Sequence, residues 1–172
     1  MLLYRISKSK YADDLSGEAV RPCCFVSSQG TRTKTGARRA GGRWNYKGTP
    51  VVYTADSTAL ATLETLVHFP LNLTPKDRAI ATIELADELP ITTIDLVDLP
   101  DNWATYPAPN QLAEIGNDWV LKQETVTLCV PSSITPNSEG RNYILNPAHP
   151  DFARVKIIRI DEYRYDNRLF ER

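Results

Sequence analysis

The sequence predicts a single α+β domain. Its periodic segments are mostly short strands, with two or three helices inserted among them rather than alternating with them. The 172 residues, 42% hydrophobic and 24% charged, suit one globular core that needs no disulfide staples. No segment nears the ~18 apolar residues of a membrane span, and the polar turn straight after Met1–Ile6 leaves no signal-peptide core. A soluble cytoplasmic protein without membrane contact is therefore expected.

The elements follow in order. Residues 2–6 read as a first strand and 11–18 as a polar, turn-rich stretch. Residues 19–35 have neither period and hold Ser, Thr, Gly and Pro, which makes a loop. Residues 36–45 form a glycine-rich turn ending on Trp44 and Asn45. A β-branched strand is expected at 51–54, behind Pro50. Asp56-Ser57 then offers an N-cap to a helix that Pro70 stops, with Leu60, Leu63 and Val67 at helical spacing on its core face. Strands are expected at 79–85 and 91–97. A second helix starts near Pro109-Asn110 and is marked by Leu112, Ile115 and Trp119. Val126, Leu128 and Val130 alternate along a strand at 125–130, and the last strands fall at 141–145 and 155–160.

Three cysteines, two of them adjacent, argue against a disulfide framework. With two histidines and no Cys-x-x-Cys spacing, no metal site is expected. The net charge of −1 hides an asymmetry. No acidic residue lies between Glu18 and Asp56, while Arg21, Arg32, Lys34, Arg38, Arg39, Arg43 and Lys47 fall there. Such a segment on an otherwise acidic chain points to anion binding, against the plainer reading of a solvated basic loop.

Within that segment Arg43 follows two glycines and precedes Trp44, presenting a guanidinium from a tight turn. Arginine is suited to bidentate phosphate recognition, although a hairpin arginine paired with a surface carboxylate fits equally. Glu64 falls at the edge of the apolar stripe of its helix, where a carboxylate can be half-buried and oriented. The alternative there is a boundary salt bridge. Tyr53 ends the strand leading into that helix, either lining the same crevice or packing in the core with its hydroxyl tied off. Ser132 ends another strand, and His149 lies in a double-proline turn, where a structural role is the plainer one. No P-loop, Gly-x-Ser-x-Gly elbow or Gly-x-Gly-x-x-Gly run is present.

Taken together, Tyr4-Arg5, Leu15-Ser16-Gly17-Glu18, Gly41-Gly42-Arg43-Trp44-Asn45, Val51-Val52-Tyr53-Thr54-Ala55, Leu63-Glu64, Val130-Pro131-Ser132 and the run from Asn142 to Pro150 carry a resemblance. In this combination and order the chain resembles, over nearly its whole length, the RES-domain toxins of bacterial RES–Xre toxin–antitoxin modules. The Arg, Glu and Ser that name that family match Arg43, Glu64 and Ser132. Residues 19–35 depart from the pattern as an inserted loop. Arg21, Arg32 and Lys34 then belong to the insertion, and Arg38, Arg39, Arg43 and Lys47 carry the charge argument.

The resemblance implies one RES domain over 1–172, with an ADP-ribosyltransferase-like split, mostly antiparallel sheet around a cleft for NAD+. It implies a toxin that cleaves NAD+ or transfers its ADP-ribose to a protein. Arg43 would hold the pyrophosphate, Tyr53 would pack on the nicotinamide side, and Ser132 would lie near the nicotinamide ribose. Glu64 would be the catalytic carboxylate and Asn146 a further cofactor contact. An Xre-type helix-turn-helix antitoxin would block the cleft and supply DNA binding, and the toxin would form a homodimer. Two rival classes remain: an RNA-binding or RNA-cleaving toxin using Trp44 and Tyr46 as a stacking surface, and a non-catalytic domain using the same cleft.

Overall fold

The computed structural model describes residues 1–17, 37–70, 73–136 and 140–170. The proposed insertion at 19–35 lies outside them. Among the described residues, seven strands form one sheet: β1 (Leu2–Lys8), β2 (Val52–Ala55), β3 (Arg78–Leu85), β4 (Ile91–Thr93), β5 (Thr127–Pro131), β6 (Arg141–Leu145) and β7 (Val155–Tyr163). Three helices accompany them there: the single turn α1 (Ala37–Ala40), α2 (Thr58–Leu66) and α3 (Asn110–Lys122).

The strand order is β4-β5-β6-β2-β1-β3-β7, antiparallel everywhere except between β4 and β5. The sheet splits at its middle. β1 runs beside β3 over seven residue pairs, from Leu2–Glu84 to Lys8–Arg78, yet meets β2 only at Tyr4–Ala55. This is the split, mostly antiparallel architecture expected. α2 covers the split, burying Leu60 and Ala61 against Ile6, Ala55 and Ile80 from both halves. α3 packs on the β5–β6–β2 half through Leu112, Trp119 and Val120, which join Trp44, Leu128 and Ile144 in one cluster.

The structure differs from the sequence reading in three elements. On α2 the buried residues are Leu60, Ala61 and Thr65, while Leu63 and Val67 are 38% and 58% exposed. The small side chains of Ala61 and Thr65 let the helix lie close to the sheet, so closeness outweighs the larger apolar pair. The strand expected at 91–97 stops at Thr93. Ile94 N donates once more to Cys129 O at 2.9 Å, and the chain then turns through a 3-10 segment at Leu96–Asp98. Asp95 and Asp98, poor strand residues on an edge, accompany that turn. β5 is buried on both faces, Thr127 and Cys129 as well as Leu128 and Val130, because it lies inside the sheet with α3 above it. Ser57 caps α2 as expected, its side chain accepting from Leu60 N at 3.2 Å.

One contact sets the seating of α3. A Cβ added to Gly116 would lie 1.9 Å from the Trp44 carbonyl oxygen, so the helix touches the backbone of the glycine-rich turn directly. Any side chain there forces the two apart. Gly116→Ala is therefore expected to cost about 3 kcal/mol of stability by overpacking, read as a lower urea midpoint with an unchanged slope. A midpoint equal to wild type would contradict this packing.

Candidate active site

The glycine-rich turn is built around one buried side chain. α1 ends at Gly41, whose φ of +74° would strain any other residue, and Gly42 and Asn45 then close a tight bridge with Arg43 and Trp44 at its tip. Asn45 is 1% exposed, and its Nδ2 donates to the carbonyls of Ala37, Tyr46 and Thr49 at 2.9, 3.0 and 3.1 Å. Its Oδ1 accepts the Tyr53 hydroxyl at 2.8 Å, and the same hydroxyl accepts Trp44 N–H at 3.1 Å. One amide thus ties α1, the turn and β2 together. Sequence reasoning passed over Asn45; an amide beside Gly-Gly-Arg-Trp was its only local signal.

Held this way, Arg43 projects half-buried toward residues 103–105. Nη1 donates to Trp103 O, and Nη2 to Thr105 O at 3.0 Å. Burial pulls the guanidinium below its ordinary value, while nearby Glu64 and Tyr53 push the other way. It remains cationic, since arginine does not deprotonate in proteins. Its hydrogen-bond partners are carbonyls, which carry no formal charge and leave other N–H donors available. Trp44 itself is 2% exposed, so it cannot serve as a stacking surface for bases, whereas Tyr46 is exposed.

Glu64 lies one turn beyond Leu60 and Ala61 on α2, half-buried at the end of the sheet. Its Oε1 accepts the Ser132 hydroxyl at 2.8 Å and also Asn142 Nδ2. Ser132 directly follows β5 and is 1% exposed, its oxygen receiving Ile134 N–H at 3.2 Å. Asn142, the second residue of β6, pairs with Val130 on β5 and Ala55 on β2. Ser132 and Asn142 thus meet at Glu64, Arg43 is within electrostatic reach of that carboxylate, and Tyr53 buttresses the turn through its hydroxyl.

Asn146 is not in this group. It follows β6, fully buried, with Nδ2 donating to Val120 O at 3.4 Å and Oδ1 accepting Ala148 N–H at 3.0 Å. Four steps of extended chain separate it from Asn142, about 13 Å. Both ends of the Asn146 amide, expected as a cofactor contact, are engaged by backbone, and it is Asn142 that reaches Glu64. Asn142 had a signal in sequence, a polar amide leading a central strand that continues into Tyr-Ile-Leu. His149 is structural: Nδ1 accepts Asp151 N–H at 3.1 Å and Nε2 lies 3.0 Å from Gln123 O. Among the described residues, no group of three or more His, Cys, Asp or Glu is placed to hold a metal ion, and no helix is long and apolar enough to cross a membrane.

This geometry can be set beside known proteins. The RES domain family model matches residues 2–166. The chain belongs to the RES-domain family. Its relatives include the Prs ADP-ribosylating toxin of Sphingobium sp. strain YBL2, 36% identical over 164 residues that cover 94% of this chain and 89% of that one. Toxin Res of Yersinia enterocolitica is also 36% identical, over 98% of this RES chain and 99% of its own. Toxin Res of Pseudomonas putida reaches the same identity over 99% and 100%. In fold, the RES domain is similar to a chain in the crystal structure of the M. tuberculosis MbcT–MbcA toxin–antitoxin complex. The TM-score is 0.68 at 18% identity, covering 95% of this chain and 84% of that chain.

The network around the turn yields a graded expectation. Asn45→Ala leaves three carbonyls and the Tyr53 hydroxyl short of a partner and should cost roughly 3 kcal/mol, whereas Tyr53→Phe, which removes one hydroxyl, should cost about 1 kcal/mol. Chemical denaturation of the two variants checks the order. Equal losses would mean that Asn45 is not the hub.

Proposed function

We propose that this RES domain is the toxin of a toxin–antitoxin pair and that it cleaves the bond between nicotinamide and ribose in NAD+. The observation that carries this reading is the Glu64 carboxylate, restrained through Oε1 and within electrostatic reach of the half-buried Arg43. Breaking an N-glycosidic bond develops positive charge on the ribose, as glycoside cleavage does. A carboxylate fixed beside that carbon stabilises the cation without reorganising. Arg43 complements it: two of its five N–H donors are given to carbonyls, and the others suit a pyrophosphate. Nicotinamide leaves readily, because the ring is cationic before cleavage and neutral after it.

Ser132 fits as a group that orients Glu64. Its hydroxyl hydrogen points to the carboxylate and its lone pair is engaged by Ile134. Tyr53 fits a supporting place on the nicotinamide side. A protein acceptor in place of water is the second reading, and the name of the Sphingobium relative favours it. Both share the first bond-breaking step and the same residues. The relatives called toxins, and the fold shared with a chain of a toxin–antitoxin complex, support an antitoxin as partner. We take that partner to be of Xre type, the toxin to be a homodimer, and NAD+ in the cytoplasm to be the substrate.

Free nicotinamide released from NAD+ by the purified chain tests the proposal. Glu64→Gln, equal in shape and unable to bear the charge, should lower release at least about a hundredfold. Release by Glu64→Gln at the wild-type rate would remove Glu64 from the chemistry.

A further inference from the structure

Two hydrogen bonds converge on a single atom of Glu64, one donated by a hydroxyl and one by an amide nitrogen. Ser132 Oγ accepts Ile134 N–H and donates its own hydrogen to Oε1. The Asn142 amide nitrogen has hydrogens and no lone pair to offer. Oε1 is therefore the engaged oxygen of this carboxylate. Among the described residues nothing donates to Oε2.

We infer that Asn142 is a positioning residue. Together with Ser132 it pins Oε1, and this leaves Oε2 as the oxygen that works on the substrate. The inference rests on the reading of Glu64 as the carboxylate of NAD+ cleavage. What gives Asn142 this capacity is its strand. β6 is hydrogen-bonded to β5 on one side and β2 on the other, so the amide starts from a backbone locked on both edges. Glu64 hangs from α2 on three side-chain torsions, and a fixed donor restricts them where the helix does not. The two donors come from neighbouring strands, Ser132 from just past the end of β5 and Asn142 from the facing start of β6, where Pro131 pairs with Arg141. Asparagine is uncommon inside strands, and this one leads into Ile144 and Leu145, both fully buried. Four charged groups lie on the neighbouring elements. Arg43 acts on Glu64 from the turn, Asp56 ahead of α2 accepts Arg141 N–H at 2.7 Å, and the Arg141 side chain lies 3.8 Å from Asp95.

Asn142→Asp tests the inference because it keeps the shape and replaces the donor by a second carboxyl. Two carboxyls in hydrogen-bond reach share one proton, since both cannot readily ionise together. Protonated, the introduced carboxyl would donate to Oε1 as the amide does; ionised, it would repel it. Nicotinamide release by Asn142→Asp, taken as a ratio to wild type at each pH, should therefore fall about tenfold between roughly pH 5 and 8. The thermal midpoint of the same variant, relative to wild type, should fall over the same range. A folded-state proton affinity raised above the unfolded one gives stability that is present at low pH and lost as pH rises. Asn142→Ala has no proton to lose; it should lower kcat roughly tenfold at every pH and leave KM for NAD+ within about twofold.

Flat ratios of both activity and midpoint for Asn142→Asp, or an Asn142→Ala whose kcat equals wild type, would overturn the positioning role while the function of Glu64 stands. Wild-type release by Glu64→Gln would overturn the reading of the reaction and the inference with it. The midpoint series reads the contact of residue 142 with Glu64 without any turnover, so the two failures are told apart.

Discussion

A glutamate on a nine-residue helix samples many positions unless something outside the helix stops it, and here the stop is a pair of hydrogen bonds to Oε1. Both come from the sheet, Asn142 from within a strand and Ser132 from the residue after one. That arrangement needs α2 to lie against the end of the β5–β6 ladder, which in turn needs the sheet to open between β1 and β2. The single Tyr4–Ala55 pairing at the split gives α2 its seat, with Leu60 and Ala61 packed across the two halves. The fold and the carboxylate are in this sense one problem: close the split and Glu64 loses its place.

The positive side of the site is held by different means. Arg43 owes its position to backbone, first to the Asn45 amide that gathers three carbonyls and then to the carbonyls of Trp103 and Thr105 that take its guanidinium. α3 presses on the same turn at Gly116. A cation bound by carbonyls keeps its charge for a ligand, whereas one bound by carboxylates has it neutralised. The two charged groups are thus anchored independently, and a ligand of the proposed kind, carrying phosphates and a developing cation, would find both in place with little reorganisation.

Much of this was legible in local pattern. The strand before Asp56-Ser57, the cap itself and the helix after it are read from neighbouring residues, and so is a glycine turn that offers an arginine. The resemblance to the RES family then marked Arg43, Glu64 and Ser132 as candidates. What escaped were contacts between distant residues. Asn142 is 78 positions from Glu64, and nothing near either residue announces that they meet. Asn146, four residues on, has the same chemistry but ends in the core, because only strand register decides which asparagine reaches α2. The face of α2 was misread for a related reason. Leu63 and Val67 have the better period, but Ala61 and Thr65 fit the sheet more closely, and closeness is a property of the partner surface. The strand expected through Val97 failed where two aspartates met an edge with a neighbour on one side only.

Glu64 and Arg43 are proposed to address two parts of one substrate, the carboxylate at the nicotinamide ribose and the guanidinium at the pyrophosphate. A crystal structure of the Glu64→Gln protein with NAD+ measures this directly. The expected complex has the ribose carbon that bears nicotinamide within contact of the residue 64 side chain, a pyrophosphate oxygen on Arg43, and Asn142 still bonded to the same side-chain end. NAD+ bound elsewhere on the protein, or bound here with its pyrophosphate away from Arg43, would contradict it.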